Sequence, residues 1–310
     1  MVFPENKQFA FSILDDTDDS TVENVKPIYD LLTNLGMKTT KTVWASDCPE
    51  GSPLYFAGQT LQDAAYLKFV HDIKDEGFEL AWHGATMESS KRARTMEALD
   101  FFEREFGYYP VLHCNHANNQ ENIYWGDKRY RTPLLRQLIK LVNRKSADFS
   151  GEDESSPYFW GDLCEKHFRY VRNFTFSELN MLKVDPEMPY HLSEKPYVNN
   201  WFSTTDAPDV NRFVELLTQK NIDRLDSEGG VCIISTHLGK GFTKNGSVDR
   251  RIVDSLEYLA KHNGWFVPVS EILDYMQGQQ KNNRKYRSGQ LGVELRHIVD
   301  HVRERIFNRG

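Results

Sequence analysis

The stretch FAFSILDDTDDS, residues 9–20, decides how the rest of the chain is read. Its first half, Phe9 to Leu14, is apolar enough for a buried strand. Its second half sets Asp15, Asp16, Asp18 and Asp19 against the strand end, four carboxylates in five positions. Like charges repel at that spacing, so the turn needs a reason: caps and turn formers, or something that holds the acids together. Downstream, Ser20 is expected to cap a helix with Glu23 reciprocating at N3. Val25, Ile28, Leu32 and Leu35 supply that helix's apolar stripe, and Gly36 ends it.

The same unit of strand, acceptor-rich turn and helix recurs along the chain. Residues 39–44 read as a second strand, and a helix over 60–75 leads through Gly77 to the strand 78–82, which ends at His83. A helix at 90–106 stops at Gly107 and feeds a short strand, 110–114. After a plausible helix at 131–142, residues 150–200 are rich in Pro, acids and aromatics with weak periodicity, and are read as long loops with short elements. Order returns with strands at 198–204, 231–235 and 265–269, separated by helices opened by Pro208 and at 248–262. Alternation of this kind favours parallel strands joined by crossover helices. The expected fold is therefore α/β, a distorted (β/α) barrel of seven or eight parallel strands with a C-terminal helical extension. The expected organisation is a barrel domain over 1–276 with a loop-rich insertion at about 150–200, a polar linker at 277–290 and a helix at 291–310. The apolar face of that last helix, Leu291, Leu295, Ile298, Val302 and Ile306, would pack on the barrel or form a homo-oligomer.

Composition narrows the function classes. With 310 residues and 39% hydrophobic content the chain can build a sizeable core, and its net charge of −7 gives no global attraction to nucleic acid or to an anionic membrane. Cys48, Cys114, Cys164 and Cys232 lack CxxC spacing and disulfide-scaffold density, which favours reduced thiols. No stretch approaches the roughly 18 apolar residues of a membrane span, and the start lacks a signal-peptide pattern. The expectation is a soluble cytoplasmic protein.

Asp15, Asp16, His83, His113, His116 and His237 all fall at or just beyond expected strand ends, which share one face in a parallel barrel. One Asp and two neutral imidazoles are a donor set for zinc or another divalent ion with an open water position, and a second Asp could take the water's proton. A separate His could protonate a leaving group. Each residue also has a structural reading, as a cap, a turn former or a buried hydrogen-bonding His. Trp82, Tyr124, Trp125, Tyr158, Trp160 and Trp201, with Asn118 nearby in sequence, are candidate walls for a flat ligand, although core packing is the commoner role of any one aromatic.

The order of "SILDDTDDS", "ELAWHGATMES", "PVLHCNHANN" and "CIISTHLGKG" resembles the successive motifs of the NodB-homology polysaccharide deacetylases, over about residues 8–275. The resemblance implies a distorted barrel, a divalent metal with zinc foremost, and hydrolytic removal of an N-acetyl or related acyl group from a sugar or oligosaccharide. It implies Asp15 as catalytic base, Asp16 and His83 as metal ligands, and His237 as general acid. Two departures stand out. The family's second metal-binding His, four positions after the first, is Met87 here, and a thioether is a poor zinc ligand. His116, with His113 as the alternative, is the expected replacement. The Arg that orients the catalytic Asp is missing from "HCNHANNQENIYWG", leaving Arg169 or Arg172 of the middle segment as candidates. Another amide or glycosidic-bond hydrolase on the same barrel, or a noncatalytic carbohydrate-binding or structural protein, are the competing readings. "GKGFTKNGS" lacks a phosphate-loop pattern, and Lys281 to Arg287 reads as a solvated linker.

Overall fold

The computed structural model describes residues 3–52, 58–142, 148–281 and 290–307. Strand β1 (Phe9–Asp15) is buried along its whole length, as a strand covered on both faces must be. One edge of β1 runs in unbroken parallel register beside β7 (Gly230–Thr236), from Phe9 opposite Gly230 to Asp15 opposite Thr236. Its other edge meets β2 (Thr40–Trp44) only at Leu14 and Asp15. Strands β3 (Glu79–Gly84), β4 (Leu112–His113), β5 (Tyr170–Phe176) and β6 (Asn200–Asp206) complete the ring, all parallel. A hairpin of β8 (Thr243–Lys244) and β9 (Ser247–Val248) follows β7, and β10 (Gly264–Phe266) pairs with Phe9–Phe11 where β2 leaves the edge of β1 open. The result is a seven-strand closed barrel with an eighth strand at its seam, the distorted (β/α) barrel expected.

Helices α1 (Val22–Asn34), α2 (Ala64–Asp75) and α3 (Arg92–Phe106) follow β1, β2 and β3 as crossovers. The cap of α1 lies one residue later than expected. Thr21 accepts from the Asn24 amide and the Asn24 side chain accepts from Thr21 N, a reciprocal box. Ser20 instead closes a turn by donating its amide to Thr17 and is buried near Lys41. Gly107 ends α3 with φ 79°, the left-handed stop its position implied.

The segment expected to be loops, 150–200, contains a helix and a barrel strand. Beyond α4 (Pro133–Val142), α5 (Gly161–His167) leads directly into β5. That strand escapes detection because its register shifts between Arg172 and Thr175, breaking the period-two pattern, and because Arg172 and Asn173 are polar yet buried. Helices α6 (Val210–Leu216), α7 (Gln219–Glu228) and α8 (Arg250–Leu259) cover the later strands. Helix α9 (Val269–Lys281) carries the chain through the first residues of the expected linker, and 282–289 lie outside the described residues.

Helix α10 (Gln290–Phe307) packs on the barrel rather than standing apart. Its buried Glu294 accepts from the amides of Arg131 and Thr132, His297 Nδ1 lies 2.7 Å from Tyr130 Oη, and Asp300 accepts from Ser177 just beyond the end of β5. Leu291, Leu295, Val299 and Val302 remain exposed on its other side. Among the described residues no helix is long and apolar enough to cross a membrane, and Cys114, Cys164 and Cys232 are buried thiols outside any disulfide.

Candidate active site

Side chains alternate across a strand, so Asp15 and Asp16 at the end of β1 leave on opposite faces. Asp15 points outward. Its Oδ2 accepts from Lys41 Nζ at 2.8 Å and from Tyr29 Oη at 2.9 Å, and its Oδ1 from Leu238 N at 3.0 Å. Both members of the Asp15–Lys41 pair are sealed from solvent. Burial pushes the Lys41 ammonium down, but Asp15 more than offsets this and holds it above the ordinary lysine value. Both Asp15 oxygens are thus engaged in tying β1 to β2, α1 and the loop after β7. That position gives it no access to a reacting atom in the lumen.

Asp16 points into the barrel, where Arg172 from β5 on the far wall donates Nη1 to its Oδ2 at 2.7 Å. The other oxygen, Oδ1, is buried without a partner and lies 3.9 Å from His83 Nδ1. Burial raises the carboxyl, yet Arg172, with His83 and His237 behind it, holds Asp16 below its ordinary value. Arg172 therefore reaches Asp16, while Arg169 pairs with Asp274 of α9.

Asp18 forms the centre of the cluster. Its Oδ1 lies 3.5 Å from His83 Nε2, and its Oδ2 lies 3.3 Å from His237 Nε2 and 3.8 Å from His116 Nε2. Burial opposes ionisation, but the imidazoles win and keep it well below the carboxylate range. His116 directs Nδ1 to Asn119 Oδ1 at 3.0 Å, and the Asn119 amide is fixed in turn by Thr86 O, Glu88 O and Glu121, which leaves Nε2 facing Asp18. His237 is oriented the same way, with Nδ1 2.9 Å from Pro208 O. Burial lowers its basicity, and Asp18 and Asp16 outweigh that to raise it above the ordinary imidazole value. Lys240 Nζ stands 3.7 Å from Asp18.

Local sequence explains the tight convergence. Trp44 at the end of β2 packs edge-on against His83 and His116, with centroids 4.6 and 5.1 Å away. Gly84 makes room for it, since a Cβ there would sit 2.7 Å from the Trp44 ring. A Cβ on Gly239 would lie 2.7 Å from the Asp19 carbonyl, so the loop carrying His237 can approach the Asp turn only as glycine. Gly239→Ala is expected to cost about 1–3 kcal/mol of stability in a denaturant melt, and an unchanged midpoint would show that the turn yields freely.

His113 takes no part in the cluster. Its ring nitrogens lie 3.2 Å from Trp82 O and 3.0 Å from Asn115 Oδ1, its ring packs on Trp160, and burial pushes it down to about 4. Of the two candidates for the place vacated by Met87, His116 is the one beside His83, with ring centroids 5.5 Å apart. Met87 itself is buried, with its methyl near Gly58. Trp82 and Trp160 are core: the first packs on Phe102 of α3, the second on Phe168. Asn118 is exposed in the loop and Tyr158 is half-buried. Tyr124, Trp125 and Trp201 gather elsewhere, around Arg129 and Lys195.

A metal site can be tested on these atoms. Among the described residues no three His, Cys, Asp or Glu side chains already close on an ion. Four buried polar atoms of the cluster nevertheless lack a partner: Asp16 Oδ1, Asp18 Oδ1, and both ring nitrogens of His83. Two ligands on one zinc at about 2.1 Å in tetrahedral geometry stand about 3.4 Å apart; Asp18 Oδ1 lies 3.5 Å from His83 Nε2, while the other oxygen, Oδ2, lies 3.8 Å from His116 Nε2. The donor chemistry of Asp18, His83 and His116 suits a divalent ion, and their side chains must turn to close on one.

No family model matches the chain, and no curated protein matches it by sequence. Solved structures do match in fold. The chain is similar to a Mycobacterium smegmatis protein described as a polysaccharide deacetylase, at 14% identity and TM-score 0.52, over 90% of this chain and 94% of that one. It is also similar to the PuuE allantoinase, at 14% identity and TM-score 0.53, over 92% and 94%. The barrel expected from the motif resemblance is the barrel these proteins share.

Proposed function

We propose that the protein is a metal-assisted hydrolase of the NodB-homology type, which removes an N-acetyl or related acyl group from a sugar or oligosaccharide. The observation that carries this reading is the Asp16–Arg172 pair. It presents one carboxylate oxygen fixed by a guanidinium and one buried and unpartnered, facing the Asp18–His83–His116 cluster. In this assignment the base is Asp16, one residue beyond the position the motif implied, and the carboxylate ligand is Asp18 in place of Asp16.

Asp18, His83 and His116 would hold the divalent ion, which supplies Lewis acidity toward the acyl oxygen and acidifies water when bound. Asp16 accepts the proton of the attacking water while Arg172 keeps its other oxygen in place. His237, oriented by Pro208 O, gives its proton to the departing amine as the acyl C–N bond breaks. Acetate and the free amine leave. A glycosidic-bond mechanism that used Asp15 with Asp16 has no support, because Asp15 is consumed by Lys41 on the other face of the strand.

The test is acetate release from a panel of N-acetylated sugars by zinc-reconstituted protein, with metal content measured in parallel. His83→Ala and His116→Ala should each lower bound zinc at least tenfold, while His113→Ala should keep it. Loss of zinc in His113→Ala alone, with His116→Ala unchanged and both proteins folded, would reverse the assignment.

A further inference from the structure

We propose that the molecule carries an anion-binding site beside the hydrolytic one, built from Arg129 and Lys195 between Tyr124, Trp125 and Trp201, and that it takes the carboxylate or phosphate of an acidic sugar. The choice of an acidic sugar rests on the hydrolase reading above.

Arg129 places its guanidinium carbon 4.2 Å from the Trp125 ring centroid and 5.0 Å from that of Phe174. It donates Nη2 to the carbonyl of Asn173, the residue that follows Arg172 on β5, so the two sites adjoin along one strand. Lys195, only 4% exposed, donates Nζ to Arg129 O at 2.6 Å and lies 5.3 and 5.8 Å from the rings of Trp201 and Tyr124. Those two rings are 6.2 Å apart.

Two buried cations normally bring their counter-charges with them. Here no ion pair joins either to a carboxylate among the described residues, and the neighbouring acids are shared with other groups. Glu294 accepts from Arg131 N and from Thr132, Glu194 pairs with Arg131, and Asp206 interacts with Arg172 and His237 as well as Arg129. Arg129 Nε, Arg172 Nε and Trp201 Nε1 are all buried donors without a partner. Burial pushes Arg129 down to about 10 and Lys195 to about 7, further than Asp206 near the first and Glu294 and Glu194 near the second offset. The idle Arg129 Nε beside Lys195, with the half-buried rings of Tyr124 and Trp125, offers what an anionic sugar needs: a forked guanidinium for the anion and flat rings for the pyranose. Helix α10 fixes the arrangement by clamping residues 130–132 next to Arg129.

Calorimetric titration of the full chain with D-glucuronate, glucose 6-phosphate and neutral N-acetylglucosamine tests the site. At least one charged sugar should bind tenfold or more tightly than the neutral one, with a change in tryptophan fluorescence, and the better of the two identifies the anion. Lys195→Gln and Arg129→Gln should each remove that preference, and Arg129→Lys should restore part of it if the Gln variant misfolds. Equal binding of charged and neutral sugars overturns the anion site, even if neutral acetylated sugars are hydrolysed. Tight binding of the charged sugars without acetate release from any acetylated acidic sugar keeps the anion site and overturns the substrate assignment.

Discussion

Asp16→Asn is expected to lower acetate release by roughly a hundred- to ten-thousand-fold, the range for loss of a positioned general base, while leaving fold and bound zinc nearly unchanged. The expectation follows from a carboxylate that Arg172 grips at one oxygen and that leaves the other buried and unpartnered within the barrel. Asn keeps the shape and one acceptor but cannot take a proton at neutral pH. Arg172→Met should lower activity through the same carboxylate and leave zinc in place, because the guanidinium contacts Asp16 and not the proposed ligands. Full activity in Asp16→Asn, with the protein folded and metal-loaded, would remove Asp16 from the base role.

Asp15→Asn should behave in the opposite way, as a stability variant. It strips the charge from a pair with no solvent contact and leaves the Lys41 ammonium buried among Tyr29, Tyr66 and the strand backbone. Breaking one partner of such a pair costs about 3–5 kcal/mol, enough to move a denaturation midpoint by a large fraction of a domain's total stability. Replacing both partners with apolar residues of similar volume, Asp15→Leu with Lys41→Met, should recover much of that loss. If Asp15→Asn melted like the parent protein and yet lost hydrolysis, Asp15 would be a catalytic residue after all and the ion pair incidental.

The contrast between these neighbours shows where the sequence was legible and where it was not. The barrel could be read because strand, turn and helix repeat with clear stops such as Gly36 and Gly107, and a parallel sheet follows from that repeat. His83, His116 and His237 could be read as a group because strand ends converge in that fold. Less legible was which face of the strand each Asp of the first motif takes. Strand alternation already separates Asp15 from Asp16, and Lys41, the one charged residue of a second strand otherwise made of Thr, Val and Trp, was the available sign that one Asp would be paired behind the sheet. Asp18 looks like a loop acid until the loop after β7 folds over it, a contact that depends on Gly239 and on residues more than 200 positions away. Trp44 carried no signal beyond being an aromatic at a strand end. Arg172 was named as a candidate orienting residue, but its strand was hidden by the register shift that follows it. The aromatic candidates divided by their partners: Trp82 and Trp160 pack against other core rings, whereas Tyr124, Trp125 and the equally buried Trp201 came together around two cations that sequence reading had not connected with them.

Anomalous diffraction at the zinc edge, from crystals of the zinc-reconstituted protein, locates the metal. One strong peak is expected, bounded by an Asp18 oxygen, His83 Nε2 and His116 Nε2, each at about 2.0–2.2 Å, with Asp16 Oδ1 left free and the other Asp16 oxygen held by Arg172. A lumen without a peak, or zinc bound by Asp16 with Asp18 turned away, would contradict that assignment.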